Sequence, residues 1–250
     1  MMFMYNSTPM AKMRYQKLRG FAIASAITAG MIVTAAPAHA APILYQANLT
    51  PLSGSGVSGV ANLSLDGNML TVNINASGLT PNQVHIQHIH GRFDAAGNPA
   101  DSVTPTLAQD MDGDGFIELA EGLPSYGPII LNLDSPSGSG GFPTAPNGVV
   151  NFTHTYDLAN SLSFVGGFSR NDLLPLDLRE IVLHGRLLDS GTGLGFGPGE
   201  ANGIPGYKLE LPVASGEIQL VSVPEPASIA LFGVGLFCLG LLWRRGTYQA

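Results

Sequence analysis

The sequence predicts an all-β protein, an antiparallel Greek-key sandwich or barrel, with long inserted loops and an apolar helix at each terminus. Three observations predict it. Apolar and polar residues alternate over short runs between residues 43 and 221, the period of a strand with one buried face. Clusters of Gly, Pro, Asn and Ser separate the runs and supply turns. No long stretch between them repeats with the 3.6-residue period of an amphipathic helix.

The strands follow in order. Residues 43–49 and 57–65 alternate, and Leu70, Val72 and Ile74 share one face against Thr71, Asn73 and Asn75 on the other. Asp66-Gly67 between two such runs is a tight-hairpin signal. Val84, Ile86, His88 and His90 share a face, with His85, Gln87 and Ile89 opposite. Residues 149–156, 180–188 and 215–221 complete the set. Two inserts interrupt the pattern, residues 91–125 and the Gly/Ser/Pro-rich 135–146; residues 191–205 are also Gly-rich.

Charge is unevenly spread over the 250 residues. Residues 41–222 hold 5 basic against 17 acidic side chains, a net of about −12. Such a surface repels nucleic acid and attracts cations. Cys238 is the one cysteine. It lies in the apolar tail, so residues 41–222 have no disulfide and no thiolate zinc site.

The ends read as targeting segments. Lys12, Arg14, Lys17 and Arg19 precede an almost uncharged run over 20–36, then Ala38-His39-Ala40. Small residues at Ala38 and Ala40 suit signal peptidase, which places a signal peptide over 1–40. Over residues 223–250, Pro224-Glu225-Pro226 precedes an apolar run ending at Trp243, then Arg244-Arg245. That run is at the short limit for a transmembrane helix. The arginines would stay cytoplasmic and leave residues 41–222 outside. This three-part tail resembles the PEP-CTERM sorting signal. The resemblance implies recognition by an exosortase in a bacterium that makes exopolysaccharide. It also implies cleavage near Pro226, and passage of an inner-membrane-tethered precursor to the outer envelope or the medium.

Residues 110–121 match a twelve-position EF-hand calcium loop. Asp110, Asp112 and Asp114 stand at the monodentate positions, and Phe116 at the carbonyl position. Glu118 stands at the direct or water-mediated position and Glu121 at the bidentate one, with Gly115 at the bend. Hard carboxylate oxygens select calcium. Pro105 before the loop, and Gly122 and Pro124 after it, argue against a full helix-loop-helix. The expectation is an isolated loop that orders the insert.

His88 and His90 on one strand face offer two imidazoles, and His184 is the natural third. The entry strands over 45–79, His88-Ile89-His90-Gly91, Arg179 to Gly185 and Ala214 to Ile218 resemble the CHRD family, related in fold to copper/zinc superoxide dismutase. That resemblance implies copper-type ligation by His88, His90 and His184. The departures from the dismutase pattern are also clear: no His between Gly91 and Phe152, no Cys in the domain, and a strongly acidic balance. His154 is the remaining candidate nitrogen. The residues leave two readings of the cluster open, buried hydrogen-bonded imidazoles or a bound copper ion.

The expectation is a calcium-stabilised, CHRD-like domain of the envelope or extracellular matrix, sorted by an exosortase, without a catalytic residue, and with exopolysaccharide as its candidate partner. The alternatives are a secreted copper-binding oxidoreductase of weak dismutase type, or a calcium-dependent carbohydrate-binding module.

Overall fold

The computed structural model describes residues 41–195, 200–222 and 232–239. The chain divides into two units, residues 1–38 and 39–250, and every described residue belongs to the second. The signal-peptide residues, including Ala38 and Ala40, lie outside the described residues. So do Pro224, Glu225 and Pro226. Residues 232–239 are helical, and among the described residues no helix is long and apolar enough to cross a membrane.

The body is all-β and antiparallel. Strands β1 (Ile43–Pro51), β2 (Ser58–Asp66) and β3 (Met69–Ser77) form a meander. Asp66 pairs with Met69, so Gly67 and Asn68 make the two-residue turn that Asp66-Gly67 predicts. Strand β4 is Gln87–Phe93, β5 is Pro99–Ala100 and β6 is Ile129–Asn132. Strands β7 (Val149–Asp157), β8 (Arg179–Leu188) and β9 (Gly206–Ser222) follow. Helix α1 (Leu119–Tyr126) lies in the first insert, and α2 (Arg170–Leu173) precedes β8.

The strand order is β5-β4-β8-β9-β1-β2-β3-β7, with β6 also paired to β4. The chain therefore crosses over three times, from β3 to β4, from β6 to β7 and from β7 to β8. The long β9 joins the two halves: its first part pairs with β8 and its second with β1. This curls the sheet into a half-barrel.

Alternation places the core. Ala47 and Leu49, Leu63, Val72 and Ile74, Val150, Ile181 and Ile218 point inward into one cluster. The outer face of β1, β2, β3 and β7 is polar. There Gln46 donates to Asn62 at 3.0 Å, and Asn73 to Thr153 at 2.6 Å. Without disulfides, this burial and the ladder carry the stability.

The sequence reading misses the short β5 and α2 and three larger elements. Strand β6 is the four-residue run Ile-Ile-Leu-Asn, with no alternation. The first half of β9, including Pro212, follows the Gly-rich segment directly. Helix α1 contains Gly122 and Pro124, which lower helix propensity; tertiary contacts hold it.

The register yields a direct test. Ile74→Ala removes a fully buried side chain and lowers the unfolding free energy by about 2–5 kcal/mol. Ser64→Ala on the outer face stays within about 0.5 kcal/mol. Equal losses in urea denaturation would contradict the assigned faces.

Candidate metal centre

The β4–β8 pairing brings the histidines together. His88 lies opposite Val182 and His90 opposite Glu180, while the His184 amide donates to the Ile86 carbonyl. Residues 88, 90 and 184 therefore share one face. Ile89 and Ile181 turn into the core from the other face. In a two-layer barrel the histidine face would meet solvent. Here the inserts cover it. Tyr126 packs its ring 4.6 Å from His90, and Phe142 lies 5.5 Å from His88, both edge-on. The three histidines are at most 4% exposed.

Each ring has a buried nitrogen without a hydrogen-bond partner: Nδ1 of His88 and Nε2 of His90 and His184. His90 Nδ1–H donates to the Gly127 carbonyl at 2.8 Å, and His184 Nδ1–H to the Glu210 carbonyl at 2.7 Å. These bonds fix the tautomers and leave both Nε2 lone pairs available. Ligand nitrogens of the three residues lie within 4.8 Å of one another. Burial pushes His90 down to about 3 and His184 down to about 4. Burial, with His184 and His90 nearby, also lowers His88 well below the ordinary value. All three are neutral at pH 7, the state that ligates metal.

The remaining histidines are used elsewhere. His154 contacts Ser137 Oγ at 3.0 Å and Ser135 Oγ at 3.2 Å, with its ring against Tyr156, and it does not join the cluster. His85 spans the carbonyls of His184 and Thr80 at 2.9 and 3.0 Å.

The acidic loop is shaped by hydrogen bonds from backbone amides to its carboxylates. Asp110 accepts from the amides of Gly113, Asp114 and Gly115, at 2.7 to 3.2 Å. Gly115 has φ +87°, a value that a side chain disfavours. Glu121 accepts from the amides of Met111 at 2.6 Å and Glu118 at 3.1 Å. Carboxylate oxygens of Asp110, Asp112 and Glu121 lie within 4.8 Å of each other, as do those of Asp112, Asp114 and Glu118. Glu118 is 3% exposed and its Oε1 has no partner. Burial, with Glu121, Asp114 and Asp112 around it, pushes Glu118 up to about 8. A cavity of about 240 Å³ opens beside Asp112, Glu118, Glu121 and Glu200.

As expected, there is no full helix-loop-helix: a single 3₁₀ turn, Leu107–Gln109, enters the loop. The exit is nevertheless helical, because α1 begins directly after Glu118. Two parts of the centre escape the sequence reading. Glu200 reaches the acidic loop from the distant Gly-rich segment. Tyr126 and Gly127 look like ordinary helix-end residues and carry no sequence signal of their place beside His90.

Glu180, opposite His90, is fully buried. Thr104 and Ser215 hydroxyls donate to its Oε1, and Oε2 has no partner. Burial pushes it up to about 7 from an ordinary 4.5, so the folded state holds this proton more tightly than the unfolded one. Its contribution is complete below about pH 4.5 and is lost as pH rises through about 7. In urea denaturation of metal-free protein, the wild type loses on the order of 3 kcal/mol relative to Glu180→Gln between pH 4.5 and 8. Parallel pH profiles for the two proteins would contradict this.

Comparison with known proteins bears on the tail. The family model of the PEP-CTERM protein-sorting motif matches residues 222–245, and no curated protein matches the chain. Signals of this kind are recognised by an exosortase. The chain therefore carries an exosortase-dependent export signal, that of a secreted, membrane-anchored precursor processed for the cell surface.

Proposed function

We propose that residues 41–222 form a CHRD-like, metal-holding domain of the envelope or extracellular matrix, released to the cell surface by exosortase processing. In this reading His88, His90 and His184 hold one transition-metal ion, copper by the family resemblance, and residues 110–121 hold calcium. The domain is a structural or interaction module without a catalytic role. The tail would cross the inner membrane before processing, and exopolysaccharide is its candidate partner.

One observation carries the metal reading: three neutral, buried ring nitrogens converge and none has a hydrogen-bond partner. Each such orphan costs about 1–3 kcal/mol. Ligation removes all three costs at once. The donor set fits: three imidazoles suit copper, zinc, iron or nickel, and two carbonyls orient the rings from behind. Bound copper would supply one-electron redox chemistry. The cover of Tyr126 and Phe142 and the acidic balance argue against turnover of an anionic substrate, because a catalytic centre keeps an open position.

Calcium rests on the buried Glu118 oxygen and on the three aspartates of the loop. A divalent cation neutralises carboxylates that otherwise repel one another. Outside the cell even a weak site, with Kd on the order of 10⁻⁴–10⁻³ M, fills.

Metal analysis and localisation test the reading together. The protein recovered from cells should hold about one transition-metal ion and one calcium per chain. His184→Ala should weaken transition-metal binding by more than about 100-fold and spare calcium, and Asp112→Asn should do the reverse. Removal of residues 223–250 should abolish surface delivery. Failure to bind copper or zinc at saturation would sink the tri-histidine assignment, and unchanged surface delivery of the truncated chain would sink the sorting assignment.

A further inference from the structure

We infer that calcium in the 110–121 loop locks the cover of the tri-histidine centre through α1, so that each ion strengthens the binding of the other. This rests on both sites of the proposed function and adds the coupling between them.

Helix α1 touches both. At its start, Glu118 is the N-cap and Glu121 the third helical residue, and both belong to the acidic loop. At its end, the Tyr126 ring packs on His90, and the Gly127 carbonyl accepts the His90 Nδ1–H. The Gly127 amide closes the helix on the Leu123 carbonyl at 2.8 Å. Gly127 is seated tightly: at φ +80° a Cβ there would lie 2.3 Å from the Gly91 carbonyl oxygen. The bond that orients His90 thus comes from the C-cap of the helix whose first turn supplies two calcium-loop carboxylates. Eight residues of helix, about 12 Å, separate the two functions.

The helix has little stability of its own. Eight residues fall below the length at which an isolated helix persists in water. Gly122 and Pro124 inside it lower its propensity further. Its order depends on what grips its ends, and both grips involve candidate ligands. Such a segment is a two-state element that both sites bias, which is the physical requirement for coupling. With the acidic loop unliganded, the first turn is closed by the reciprocal Glu118–Glu121 capping bonds without an ion behind them, and a frayed α1 loosens Tyr126 and the Gly127 carbonyl. With calcium bound, the first turn is fixed and the cover stays closed.

A second contact runs in parallel. The Arg186 guanidinium lies 5.3 Å from the Phe116 ring. Phe116 is the carbonyl position of the loop, and Arg186 follows His184 by two residues. Ser53 joins both sides: its Oγ accepts from the Ile117 amide at 2.8 Å, and its carbonyl from Arg186 at 2.7 Å. The acidic loop is therefore fastened to β8, the strand of His184, directly and through Ser53.

An ion held by the three buried histidines would itself be buried, so the coupling has a kinetic face. Entry and exit need the Tyr126–Phe142 cover to open. Calcium should slow exit more than it slows any exposed step.

The test uses the full-length protein in detergent, with Zn²⁺ as a redox-silent probe of the histidines. Calcium affinity is measured calorimetrically with and without Zn²⁺, and Zn²⁺ affinity with and without calcium. The two ratios should agree, as linkage requires, at about tenfold. Zn²⁺ release to a chelator should slow by a similar factor in calcium. Asp112→Asn should bind Zn²⁺ without a calcium response. The exposed double variant Ala120→Gly/Leu123→Gly loosens α1 and leaves every ligand in place; its ratio should fall towards one. If both ions bind with constants independent of each other, the coupling is wrong and the two sites stand. If the double variant keeps the full ratio, α1 is not the link. If either ion fails to bind, the coupling falls together with that site.

Discussion

The structure depends on the burial of three neutral imidazoles whose ligand nitrogens face one another without partners. In a protein interior, polar groups find hydrogen bonds, and here the opposite ring nitrogens of His90 and His184 do find carbonyls. The convergent ones do not. Much of the fold serves to bring this arrangement about. Strands β4 and β8 set the residues on one face. Strand β9 supplies the Glu210 carbonyl, the insert after β4 supplies Gly127 and Tyr126, and the insert after β6 supplies Phe142. Burial that lowers the histidine pKa values keeps the rings in their ligating form, at the cost of three unsatisfied nitrogens while no ion is bound.

The acidic loop is a second instance of the same logic with the opposite charge. Glu118 is buried among carboxylates and leans towards protonation. Its neighbours are held by backbone amides, not by lysines or arginines. Residues 41–222 carry few basic side chains, and Arg179 and Arg186 are committed to contacts of their own: Arg179 donates to carbonyls of Leu173, Asp172, Arg92 and Ala100. Cations from outside the chain are the natural counter-charge. In the proposed reading, bound cations would act as staples in a domain that has no cysteine of its own.

Much of this was legible in the sequence because strands have a period of two. Alternation alone located β1, β2, β3, β7 and β8, and it set His88 and His90 on a shared face. The spacing of Asp110, Asp112, Asp114, Glu118 and Glu121 specified a loop that folds back on itself. The rest depends on tertiary contact. Strand β6 shows no alternation because β4 and the core bury it on both sides. Helix α1 breaks propensity rules at Gly122 and Pro124 because its ends are held. His154 alternates as a ligand would, yet it faces Ser135 and Ser137 on β7. The cover of the histidine face is formed by Tyr126 and Phe142, from different inserts, and chain order does not bring them together.

The sorting signal bears on where the domain goes, and the imidazole cluster is the basis of the metal that we propose it holds. X-ray absorption on full-length protein isolated with its transition metal measures the second directly. The account predicts a first shell of three imidazole nitrogens at about 2.0 Å, lost in His184→Ala. A shell made of oxygen ligands, without imidazole scattering, would contradict it.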